Sequence, residues 1–131
     1  MKTIGHAEWA HLSEAAWACR EGARVLGPTK VGAAVITPSG VVVAGCNVEH
    51  VFRSHDIHAE VNAIGSMVAS GEMSITAILI VAERELFTPC GACMDWIFEF
   101  GGGDCLVGFQ SSRGIDCKVY AARELMPHYP S

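Results

Sequence analysis

The run Ile75-Thr76-Ala77-Ile78-Leu79-Ile80-Val81, followed after a loop by Thr88-Pro89-Cys90-Gly91-Ala92-Cys93, decides the fold. A continuous apolar run without polar alternation reads as a central strand covered on both faces. Cys93, Trp96, Ile97 and Phe100 then step by three and four, the stripe of a helix that Gly101-Gly102-Gly103 ends. A buried strand leading into an amphipathic helix calls for a layered α/β structure.

Upstream, Val31 to Thr37 and Val41 to Asn47 are β-branched-rich runs around Pro38-Ser39-Gly40, the pattern of a hairpin. Leu12, Ala16, Cys19, Ala23 and Leu26 keep helical spacing and predict a first helix from Trp9 that Gly27-Pro28 stops. Val61, Ile64 and Val68 predict a second helix from His58 to Ser70-Gly71, after an irregular segment Val48 to Ile57. Downstream, Cys105 to Gln110 and Cys117 to Tyr120 read as strands and Ala121 to Met126 as a short helix. The order predicts a three-layer α/β/α sandwich around a mixed five-stranded sheet, formed by residues 1–131 as one domain.

Charge and composition narrow the function. Fourteen acidic against nine basic side chains in 131 residues give a net charge of −5, which opposes a nucleic-acid polymer or an anionic membrane as partner. Half the residues are hydrophobic, enough for a core, yet no apolar run approaches the roughly 20 residues of a spanning helix. Met1 to His6 lacks a secretory apolar stretch, so the expected location is the cytoplasm. In that reducing setting the six cysteines do not read as a disulfide framework; the close pair Cys90 and Cys93 reads as metal-binding or redox-active.

His58-Ala59-Glu60 opens the second helix and Pro89-Cys90-Gly91-Ala92-Cys93 opens the third. One imidazole and two thiolates are a zinc set with the fourth position open to water. Helix N-termini favour thiolate over thiol, and Pro89 needs no NH there. Glu60, two residues beyond His58, points away from a shared ligand position and can face the water as general acid and base. H-x-E followed by P-C-x-x-C is a signature of zinc-dependent nucleobase deaminases.

With Val31-Gly32-Ala33-Ala34, Gly45-Cys46-Asn47-Val48-Glu49 and Ala63-Ile64 added, the stretch from about Lys30 to Tyr129 resembles the cytidine deaminases. The resemblance implies hydrolytic deamination of cytidine or deoxycytidine to the uridine counterpart, with one Zn²⁺ per subunit on His58, Cys90 and Cys93. It implies Glu60 as proton shuttle, Asn47 and Glu49 on the ribose hydroxyls, and the Ala59 NH on the pyrimidine carbonyl. It also implies pyrimidine salvage and a homo-oligomer, a tetramer rather than a dimer, in which Tyr129 reaches a neighbouring pocket.

Departures from the pattern concern the substrate. His58 stands where small tetrameric members usually carry cysteine, and Val61 where they carry arginine; a neutral His/Cys/Cys site does not need that cation. Thr29, Val51-Phe52-Arg53 and Met94-Asp95 also differ, and they leave open a cytosine-containing antibiotic of the blasticidin S type or a guanine-like base. A non-catalytic zinc-stabilised domain, with His55 or Cys105 as fourth ligand, is the alternative from another class.

Overall fold

The computed structural model describes residues 3–85 and 88–130. The chain runs α1 (His6–Arg20), β1 (Gly32–Ile36), β2 (Val42–Cys46), a 3-10 turn (Arg53–His55), α2 (Ala59–Ala69), β3 (Ala77–Val81), α3 (Gly91–Gly101), β4 (Leu106–Gln110), β5 (Lys118–Ala121) and α4 (Ala122–Leu125). The sheet order is β2-β1-β3-β4-β5, with β3 and β4 parallel and the other neighbours antiparallel. The expected mixed five-stranded sheet, with helices on both faces, is what forms.

Side-chain alternation along the strands divides the core. Ala33, Val35, Ile78 and Ile80 face α2 and α3, meeting Ala63, Ile64, Met67, Met94 and Ile97. Ala34, Ile36, Leu79 and Val81 face α1, meeting Leu12, Ala16 and Trp17. Every residue of β3 is buried, as an apolar run with no wet side requires.

The hairpin turns as its residues dictate. Gly40 takes φ +90, a value glycine adopts without the Cβ penalty, and the Thr37 hydroxyl accepts the Val41 NH at 3.1 Å. The other elements lie within a residue or two of expectation, the usual scatter at element ends.

The first helix is shorter than its spacing predicts. It stops at Arg20, because the Arg24 backbone pairs instead with the segment after β2: its NH donates to the Asn47 carbonyl at 3.1 Å and its carbonyl accepts the Glu49 NH at 2.7 Å. Ala23 and Leu26 therefore continue a helical rhythm outside any helix, and Leu26 is 48% exposed. Among the described residues no helix is long and apolar enough to cross a membrane.

Candidate metal centre and substrate cavity

Two helix starts meet at one point. His58 is the N-cap residue of α2, extended at φ −77, ψ 154, and its carbonyl accepts the Asn62 NH at 2.9 Å. Cys90 caps α3 in the same way, its carbonyl accepting the Met94 NH at 2.9 Å, and Cys93 follows in the first turn. Both helices lie on one sheet face, so their N-termini converge.

The His58 Nδ1 is 3.3 Å from the Cys93 Sγ and 3.4 Å from the Cys90 Sγ, and the two sulfurs are 3.5 Å apart. Tetrahedral zinc with bonds of about 2.0–2.3 Å sets ligand-ligand edges of roughly 3.5–3.8 Å. The three donors therefore fit such an ion with adjustments of a few tenths of an ångström. Among the described residues they are the one group of three or more metal-binding side chains drawn together. Burial and the nearby Glu60 charge push the Cys93 thiol pKa up, so a cation is what makes a thiolate favourable there.

Glu60, in the first turn of α2, is only 6% exposed. Burial raises its carboxyl pKa above the ordinary value, partly offset by a backbone hydrogen bond and the His58 charge. A carboxyl moved in that direction is suited to taking up a proton nearer neutral pH.

His58, Ala59, Glu60 and Cys90 line one cavity of about 270 Å³ together with Asn47 and Glu49. The Asn47 Oδ1 accepts the Val31 NH at 2.9 Å and its Nδ2 donates to the Thr29 carbonyl at 3.1 Å, which fixes the amide orientation. The Glu49 Oε1 accepts the Leu26 NH at 2.6 Å and the Gly27 NH at 2.9 Å, and these bonds hold its pKa below the ordinary value.

Not every expected residue joins them. Tyr129 lies against α3: its ring stacks on Phe98 at 3.9 Å and its hydroxyl donates to Asp95 at 2.8 Å. His55 packs its ring edge-on to His50, and Cys105 is buried in the core below α3. Neither belongs to the donor group, so among the described residues no fourth protein ligand closes it.

Arg53 and Arg84 line the cavity as well, which the sequence left open. Arg53 ion-pairs with Glu49 at 3.2 Å and with Asp56 at 3.0 Å. The signal available in the sequence was three charges of alternating sign at positions 49, 53 and 56, in a segment with no periodicity to orient them.

Three side chains that could hold a metal ion, beside a buried carboxylate on an α/β/α frame, are the arrangement a metal-dependent hydrolase uses. Residues 4–109 match the model of the cytidine and deoxycytidylate deaminase zinc-binding region, and the chain belongs to that family. It is 35% identical over 98 residues to a cytidine deaminase of Sporosarcina psychrophila, spanning 74% of this chain and 71% of that one. The crystal structure of cytidine deaminase from Burkholderia pseudomallei superimposes with a TM-score of 0.85 at 36% identity, covering 95% of this chain and 98% of that one. A blasticidin-S deaminase of Bacillus cereus is 30% identical over 86 residues, covering 59% of this chain and 61% of its own.

Proposed function

We propose that this protein deaminates cytidine or deoxycytidine by hydrolysis, consuming one water and releasing ammonia and the uridine counterpart. The observation that carries the reading is the cluster of His58, Cys90 and Cys93 donors within 3.5 Å of one another, with buried Glu60 on the same cavity. The three side chains would hold one zinc per subunit, with residues 1–131 acting as a single deaminase domain. When bound, zinc supplies a Lewis acid that lowers the pKa of a water molecule.

Glu60 would accept a proton from the attacking water and pass it to the ring nitrogen, then carry the proton of the new C4 hydroxyl to the amino group, which leaves as ammonia while C4 becomes the carbonyl. The Ala59 NH, in the unpaired first turn of α2, donates to the pyrimidine carbonyl. Asn47 and Glu49 meet the ribose hydroxyls with the donor and acceptor capacity that their backbone bonds leave free.

Tyr129 serves a neighbouring pocket in a homotetramer. The stack of Trp96 and Phe100 at 5.9 Å, with Trp96 41% exposed, supports α3 as a subunit contact. A cytoplasmic enzyme of pyrimidine salvage is the setting that fits this chemistry.

The match to a blasticidin-S deaminase supports a second substrate reading, a cytosine-bearing nucleoside antibiotic. Ammonia release from cytidine, deoxycytidine, CMP, cytosine, blasticidin S and guanine, with Glu60→Gln as the blank, separates the readings. Turnover of cytidine or deoxycytidine supports the first; silence on both with activity on the antibiotic moves the assignment to the second. Silence on the whole panel by zinc-loaded protein returns the chain to a non-catalytic zinc domain. Light scattering in solution tests the tetramer.

A further inference from the structure

The segment between β2 and α2 closes on itself. Val48 and Ile57 exchange both backbone hydrogen bonds, at 2.8 and 2.9 Å, so residues 49–56 form a loop with a fixed neck, and His58 follows the neck directly. At the centre stands Arg53. Its Nε donates to the Asp56 Oδ2 at 3.0 Å and its guanidinium reaches the Glu49 Oε2 at 3.2 Å. The other Asp56 oxygen accepts the His50 NH at 2.7 Å, and the other Glu49 oxygen accepts the Leu26 and Gly27 NH groups.

An isolated surface ion pair contributes little, since ordering two long side chains cancels most of the attraction. Here both carboxylate side chains are only 14% exposed and already anchored by backbone NH groups, so much of the ordering is done before Arg53 arrives. The planar guanidinium fork then bridges an acid near the start of the loop to one near its end, which a lysine point charge spans poorly. A carboxylate offers about four acceptor directions, and three of those on Glu49 have partners, so few orientations remain for a substrate hydroxyl.

We propose that Arg53 is the positioning residue that aims Glu49 at the sugar end of the cavity and so sets the preference for a hydroxyl-bearing sugar. The inference rests on the reading of Glu49 as a sugar contact.

The test compares wild type, Arg53→Lys and Arg53→Ala, zinc content verified, on cytidine and on 2′,3′-dideoxycytidine. The wild type is expected to prefer cytidine. Arg53→Ala lowers kcat/KM on cytidine about tenfold, through KM with kcat nearly unchanged, and leaves the dideoxy substrate within about twofold. Arg53→Lys falls between, and provides the comparison if the alanine variant does not fold. Equal losses on both substrates overturn the proposal.

A wild type that treats both substrates alike, or turns over neither, sinks the Glu49 sugar reading instead. Amide hydrogen exchange at Leu26 and Gly27 then decides whether Arg53 orients Glu49. Exchange about tenfold faster in Arg53→Ala, with β3 amides unchanged, upholds the positioning role; unchanged exchange overturns it.

Discussion

Gly45 on β2 and Ala63 on α2 meet backbone to backbone. A Cβ on Gly45 would overlap the Ala63 amide nitrogen and stand 2.9 Å from the Ala59 carbonyl oxygen. The close approach seats the start of α2 against the sheet, and with it His58 and Glu60. Gly45→Ala must push the helix outward, an overpacking cost of about 1–3 kcal/mol. Denaturant unfolding should report that loss, and metal analysis should report zinc below one per chain.

Gly65 lies on the same helix with nothing within 4 Å of an added Cβ. Gly65→Ala there removes backbone freedom from the unfolded chain without a clash, and should raise stability by about 0.5–1 kcal/mol. Measured side by side, the two glycines should move the unfolding midpoint in opposite directions.

Metal removal should loosen the site more than the sheet. Zinc present at about a thousand times its dissociation constant adds about 4 kcal/mol of apparent stability. Dialysis against a chelator should lower the melting temperature and stop ammonia release, with zinc restoring both. The Cys90→Ser and Cys93→Ser variants should show the low value from the outset. Because binding must displace protons, above all from buried Cys93, zinc affinity should fall as pH falls, which a competition titration at several pH values measures.

Glu49 and Asp56 have depressed pKa values, Glu49 chiefly through the Gly27 and Leu26 NH groups and Asp56 chiefly through the His50 NH. Groups shifted downward stabilise the fold above their unfolded values of about 4, and that contribution disappears as pH falls through the lowered folded values. Glu60 carries the opposite sign: its raised value opposes folding above the folded pKa and ceases to do so below the unfolded one. Protection of the Leu26, Gly27 and His50 amides, taken against their intrinsic exchange rates, should therefore be lost below about pH 4 before protection in β3.

The sheet and its helices were legible because their hydrophobic pattern is local, an unbroken apolar run for β3 and a stripe stepping by three and four for α3. The apolar run to Val81 and the stripe from Cys93 to Phe100 each demand one kind of covering, and the structure supplies it. The gathering of His58, Cys90 and Cys93 was legible because side-chain chemistry at helix starts is local. The segment from Arg20 to Leu26 misled for the same reason: its helical spacing persists, but the choice between helix and bridge was made by Asn47 and Glu49, more than twenty residues away. The bonds of Asn47 to Thr29 and Val31, and of Glu49 to Leu26 and Gly27, are likewise products of tertiary closure that no local pattern encodes.

His58 and Cys90 stand 32 residues apart in the chain, yet 3.4 Å separates their donor atoms. An ion held by both closes a ring of polypeptide that contains all of α2 and β3, much as a cross-link does. The middle strand of the sheet is thereby threaded into the same closed circuit as the chemistry. Strand β3 would then stay inside a closed loop even when the rest of the chain extends, so a bound ion would limit how far the centre of the fold can spread in the unfolded state.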